Sequence, residues 1–148
     1  MNFSKRSRYG IRALVDLAVY GVYECVQLSD IANRNGISVK YLEQIFMALR
    51  KAGLIKSIKG PQGGYLLADK PEKIQIAQVI YALDGDYLLD AEEVVPGKNG
   101  ETAAAAIQKE IIEPMNELVD QFLRKLTLKD LADRFEEYNE YAQHMYYI

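Results

Sequence analysis

Cysteine and histidine are nearly absent: Cys25 and His144 are the single representatives of each type in 148 residues. One thiol excludes an internal disulfide framework and any thiolate-only metal site within one chain. One imidazole leaves almost nothing from which to build a metal centre or a histidine-based triad. Long hydrophobic runs are missing too, since none approaches the roughly 20 apolar residues that cross a bilayer. Residues 1–6 lead into no extended apolar stretch with a small-residue cleavage site, so secretion is not expected. Together these absences predict a cytoplasmic protein that needs no metal of its own to fold.

What is present suits a globular protein. Apolar residues make up 49% and charged residues 26%, enough to bury a core in one domain, or one domain with a helical extension. The net charge of −3 hides an asymmetry. Residues 1–73 carry 12 Lys/Arg against 6 Asp/Glu, a balance of +6, whereas residues 74–148 carry 6 against 15, a balance of −9. A basic half joined to an acidic half predicts a polyanion facing the first.

Ile11, Leu14, Val15, Ala18 and Val22 recur at helical steps, predicting an amphipathic helix over 9–22. A short helix follows, with Ser29 as its expected cap and Asn35-Gly36 supplying the left-handed residue that ends it. Ile37 is a buried pivot. Ser38 caps the next helix, 39–52, which buries Leu42, Ile45, Phe46 and Leu49 and presents Lys40, Tyr41, Glu43, Gln44 and Lys51 outward. Two short helices around an Asn-Gly turn make a helix-turn-helix pattern, in which the second helix can enter a major groove. Two β-prone runs, 54–59 and 65–68, flank Gly60-Pro61-Gln62-Gly63-Gly64. That hairpin reads as a wing carrying Lys56 and Lys59 towards phosphate or a minor groove. No GxxxxGK[ST] or GxGxxG spacing supports a nucleotide cradle instead.

Beyond the wing, Ile76, Val79, Ile80 and Leu83 predict a short helix, and the acidic stretch 85–101 a loop. Residues 103–126 form a long helical pattern, with Ile107, Ile111, Met115, Leu118, Phe122 and Leu126 in one stripe suited to a twofold helix pair. Pro114 predicts a kink or restart there. Thr127 and Asp130 have capping-box spacing and open a last helix with Leu128, Leu131, Ala132 and Phe135 inward. The expected fold is therefore mainly α with a small β wing. Residues 1–85 form a winged helix-turn-helix DNA-binding domain, 86–102 an acidic loop, and 103–148 a dimerisation helix with a C-terminal helix and tail.

The motifs Tyr41-Leu42-Glu43-Gln44 and Gly60-Pro61-Gln62-Gly63-Gly64-Tyr65, with Tyr9-Gly10-Ile11-Arg12-Ala13 and Ala52-Gly53-Leu54-Ile55, resemble the Rrf family of bacterial winged-helix transcriptional regulators. The family includes the iron–sulfur regulator IscR, the nitric-oxide sensor NsrR and the cysteine-metabolism repressor CymR. The resemblance is dense over residues 1–85 and implies a homodimer on a palindromic operator. It implies that Ser38, Lys40, Tyr41, Glu43 and Gln44 face the groove and that Lys59 sits on the wing, where the iron–sulfur branch has Arg. Cluster-binding members carry three cysteines in the loop before the long helix. This chain has none there, so no iron–sulfur cluster is expected and the resemblance is to the cluster-free CymR branch. That branch similarly ends in an aromatic stretch and a terminal Ile, which implies cysteine synthase (O-acetylserine thiol-lyase) as a partner for Tyr146, Tyr147 and Ile148.

No catalytic group or metal ligand is assigned. Glu92-Glu93 and Glu136-Glu137 are neighbours in sequence, but successive helical residues diverge by about 100° in a solvated, acid-rich setting. The expected function is a homodimeric DNA-binding repressor of cysteine or sulfur metabolism genes. Two alternatives stay open: a thiol-redox-sensing regulator acting through Cys25, and a protein-interaction module that uses the same fold.

Overall fold

Ser4 sets the start of the first helix. In the computed structural model, which describes residues 1–98 and 101–146 without the side chains of Glu101 and Tyr146, the Ser4 hydroxyl accepts the Ser7 N–H at 3.0 Å. Helix α1 therefore spans Lys5–Tyr20, one turn earlier than the apolar spacing predicts. Its first turn, Lys5-Arg6-Ser7-Arg8, lacks the stripe, and the cap supplies what periodicity does not. Asp84 reinforces this end, accepting from the Ser4 N–H at 3.1 Å and from the Ser4 hydroxyl.

Helix α2 is Leu28–Asn35, and Gly36 ends it in the left-handed region at φ 63°. Ser29 does not cap it, because Gln27 holds the cap position. Val26 exchanges two backbone hydrogen bonds with Tyr65, at 2.9 and 2.8 Å, so the chain leaves that rung and turns into α2 at once. Helix α3 is Val39–Lys51, with the Ser38 hydroxyl accepting the Tyr41 N–H at 3.2 Å. Strands β1, Ile55–Ile58, and β2, Gly64–Leu67, pair antiparallel with Ile55 opposite Leu67 and Ile58 opposite Gly64. The glycines in the turn have a steric reason. A Cβ at Gly64 would lie 2.5 Å from the Val26 carbonyl oxygen, and one at Gly63 would lie 2.1 Å from that of Ile58.

Helix α4, Ile76–Asp84, follows a 3₁₀ turn, Pro71–Lys73. Helices α5, Glu101–Ile107, and α6, Glu113–Lys125, are joined by a π turn, Gln108–Ile112. The break expected at Pro114 thus takes this form. Proline has no N–H to return to Glu110, and the Glu113 N–H reaches back five residues to the Gln108 carbonyl. Helix α7 runs Leu128–Tyr146. The capping box is present at its start, since the Thr127 N–H donates to Asp130 at 2.9 Å and the Asp130 N–H to the Thr127 hydroxyl at 3.2 Å.

Leu14, Leu17, Ile31, Leu42, Ile45, Phe46 and Leu49 fill the main core, and Leu128 enters it from α7. A second cluster of Ile76, Ala77, Ile80 and Tyr87 packs against Val119, Leu123, Leu126 and Leu131. Phe135, expected to point inward with Leu128 and Ala132, is 37% exposed in the protomer. Together with Tyr138 it lines a groove beside Val15 and Tyr20 of α1.

Candidate nucleic-acid interface

Helix α3 is held from behind and open in front. Leu42, Ile45, Phe46 and Leu49 are each fully buried, which fixes its rotation. The opposite stripe, Lys40, Glu43, Gln44, Met47 and Lys51, is exposed at steps of three, four, seven and eleven residues. Ser38 is exposed at the helix start and is committed to the cap. Tyr41 is half-buried, its ring edge-on to Tyr9 at 5.9 Å between centroids and 84° between planes. The structure thus brings Lys40, Glu43 and Gln44 onto one face, leaves Ser38 at the N-terminal end of the helix and sets Tyr41 against Tyr9 of α1.

The wing is bound to this helix. Tyr65 of β2 meets Phe46 of α3 edge-on at 4.9 Å and pairs with Val26. Lys59 is exposed just past β1, followed by Gly60 at φ 107°. Cys25 lies half-buried beneath the turn, its thiol donating to the Gln62 carbonyl at 3.1 Å.

Several contributors escape a reading of periodicity. Asp16 is 5% exposed and accepts both arms of the Arg34 guanidinium, at 2.8 and 2.7 Å, with the Asn35 amide at 3.2 Å. The hydrogen bonds to Asp16 hold the Arg34 pKa above its ordinary value, and its guanidinium lies 4.1 Å over the Tyr20 ring. This cluster joins α1 to the turn before α3. Arg12 donates to the Asn35 carbonyl in the same turn and lies over Tyr9. Arg8, one helical turn earlier, lies over Phe3 at 5.0 Å. Neither Arg8 nor Arg12 has a carboxylate partner among the described residues. Only the surplus of positive charge in residues 1–73 signalled such a stripe.

The acidic stretch after Gly85 is pinned along the C-terminal helices. The Asn116 amide takes the Leu89 N–H at 2.7 Å and gives to the Leu89 carbonyl at 3.0 Å. The Glu92 N–H donates to Gln108 at 2.7 Å, and the Tyr87 hydroxyl donates to Asp120. Burial, then that bond, raise the Tyr87 pKa. Of the tail residues, Tyr146 closes α7, and Tyr147 and Ile148 lie outside the described residues.

A family model described as "Rrf2: Iron-dependent Transcriptional regulator" matches residues 3–134. The chain belongs to the Rrf2 family of transcriptional regulators. It is 33% identical to the HTH-type transcriptional regulator IscR of Photorhabdus laumondii, over 92% of this chain and 82% of that one. It superimposes on the structure of CymR (YrzC), titled the global cysteine regulator of B. subtilis, with a TM-score of 0.76 and 33% identity, covering 90% of this chain and 98% of that one. The T. potens IscR structure gives 0.72 and 34%, covering 93% and 90%. These relatives are regulators rather than enzymes, and the winged-helix fold agrees with theirs.

The family description names iron, and the donor set here does not fit a resident iron centre. The sole thiol, Cys25, is spent on a backbone carbonyl. The segment pinned along α6 offers no thiol, and no group of three or more His, Cys, Asp or Glu among the described residues could hold a metal ion. Among the same residues no helix is long and apolar enough to cross a membrane.

Proposed function

We propose that this Rrf2-family regulator is a cytoplasmic, homodimeric transcriptional repressor that binds a palindromic operator through α3 and the wing. The observation that carries the reading is the exposed polar stripe of a helix whose other face is wholly buried. In this reading Ser38, Lys40, Tyr41, Glu43 and Gln44 meet base edges and phosphates in the major groove, and Lys59 meets the backbone beside it. Arg8 and Arg12, cations with no carboxylate partner among the described residues, add phosphate contacts from α1. Residues 1–85 carry DNA recognition, 86–102 form the acidic connection, and 103–148 supply dimerisation. Support for the dimer comes from an apolar groove of about 730 Å³ between α1, α4 and α6. On its rim Leu118 and Phe122 are 69% and 64% exposed in the protomer, an adjacent apolar pair of the kind that interfaces cover. The test is operator binding against salt, alongside sedimentation of wild type and Phe122→Glu. A steep salt slope and a dimer that Phe122→Glu splits support the proposal. Salt-independent binding favours the protein-interaction module.

The likeness to the cysteine regulator CymR extends the proposal to cysteine and sulfur metabolism genes, with cysteine synthase as partner of Tyr146, Tyr147 and Ile148. In this reading the enzyme's substrate O-acetylserine is expected to compete with the segment for its pocket. Deleting Ile148 is expected to abolish enzyme binding, and undiminished binding removes the partnership. Mapping genomic binding sites identifies the regulated genes.

A second reading is favoured by the Cys25–Gln62 contact, which places the thiol under the wing. Peroxide would oxidise it to the sulfenic acid with release of water, removing the S–H donor. Operator affinity then responds to peroxide in wild type and not in Cys25→Ser; equal responses exclude it.

A further inference from the structure

Helix α3 presents one residue that does not match its surroundings. On the exposed stripe Lys40, Glu43, Gln44, Met47 and Lys51, four members are polar or charged, and Met47 is 65% exposed. At 100° per residue, Met47 falls about 20° from Lys40 and about 40° from Lys51, between the directions of Glu43 and Gln44. It therefore stands at the middle of the face rather than at the margin where core residues spill over. Leu42, Ile45, Phe46 and Leu49 complete the buried side without it. Nothing in the protomer needs an apolar side chain there.

The major groove of B-DNA offers one apolar feature among its donors and acceptors, the thymine 5-methyl group. Methionine suits it, being long, unbranched and polarizable. We propose that Met47 is a specificity-determining residue that packs on a thymine methyl in each half-site. The inference rests on the DNA-binding role of α3 stated above. It also fixes a register. Met47 lies three residues beyond Gln44 and four beyond Glu43, about 4.5–6 Å further along the helix. With base pairs spaced about 3.4 Å apart, the thymine lies one or two pairs from those that Glu43 and Gln44 read.

The experiment begins with selection of bound duplexes from a random DNA library by the purified full-length protein. The selected duplex is then resynthesised with each thymine in turn replaced by deoxyuridine, which removes the methyl and leaves the hydrogen-bonding edge intact. Wild type, Met47→Ala and Met47→Leu are compared by fluorescence anisotropy. At one thymine per half-site, deoxyuridine is expected to weaken wild type about fourfold, the equivalent of one buried methyl group. Met47→Ala is expected to be indifferent at that position, and Met47→Leu to retain part of the discrimination. Because the side chain is exposed, both variants are expected to melt like wild type. If wild type ignores deoxyuridine everywhere, or Met47→Ala discriminates as strongly as wild type, the assignment of Met47 is overturned while DNA binding stands. If no duplex is enriched at all, the DNA-binding role itself fails.

Discussion

Replacing Asp16 by Asn keeps the volume of the side chain and removes its charge. Asp16 is buried and accepts three hydrogen bonds, two from Arg34 and one from Asn35. Hydrogen bonds to a charged group are each worth about 1.5–3 kcal/mol. An asparagine retains one accepting oxygen, so some of this survives. The Arg34 side chain is 35% exposed and can turn towards water, so the cation is not stranded as it would be in a sealed core. The net loss is therefore about 2–3 kcal/mol. For a chain of this length that corresponds to a drop in Tm of roughly 5–10 °C. Thermal unfolding followed by circular dichroism, at one fixed protein concentration, measures it. Arg34→Lys keeps the charge but not the two-armed geometry, and about half the loss is expected. The double mutant is expected to show coupling of about 1 kcal/mol or more. An Asp16→Asn protein within about 0.5 kcal/mol of wild type would refute the reasoning and reduce the cluster to a surface ion pair.

Three further outcomes are expected. Burial pushes the Asp84 carboxyl up, but the hydrogen bonds from Ser4, with the Ser7 hydroxyl and the charge of Arg6 nearby, outweigh it and leave its pKa below the ordinary 3.8. A depressed carboxyl stabilises the fold above that ordinary value, and the contribution disappears as pH falls from it through the folded value. Asp84→Asn should therefore flatten the acid limb of a stability–pH curve below about pH 4 and cost stability at neutral pH. Gly64→Ala places a methyl against the Val26 carbonyl at a backbone angle that favours glycine, and about 1–3 kcal/mol of strain is expected. Broadened amide signals confined to the wing and residues 25–27 would confirm it, and an unchanged spectrum would not. Lys59→Ala and Arg8→Ala are each expected to lower the salt slope of operator binding by about one unit per lost phosphate contact per subunit. Unchanged slopes remove these residues from the interface.

Elements governed by neighbours in the chain were legible in the sequence. The Ser38 cap, the left-handed Gly36, the Thr127–Asp130 box and the buried face of α3 all arise from residues a few positions apart. What periodicity did not reveal depends on distant partners. Asp16 and Arg34 are eighteen residues apart, and nothing local says that two helices will bring them together. Ser29 resembles a cap, yet the pairing of Val26 with Tyr65 moved the helix start ahead of it. Phe135 fits the inward pattern of α7, but it faces an open groove beside Val15 and Tyr20 of α1 and stays partly exposed. At the candidate interface the polar stripe was readable from spacing. The exposure of Met47 and the missing carboxylate partners of Arg8 and Arg12 required knowing what surrounds them.

The single rung between Val26 and Tyr65 has a mechanical consequence. It stitches the linker between α1 and α2 to the wing, while Phe46 stitches the wing to α3 and Asp16 stitches α1 to the turn between α2 and α3. Each part of the reading head is thus fastened to two others, and the loop of attachments closes on itself. Such a head is built to move as one piece. In the proposed dimer, a signal that leaves these attachments intact would act by changing the spacing or tilt of one head against the other, as two jaws of a caliper move without bending.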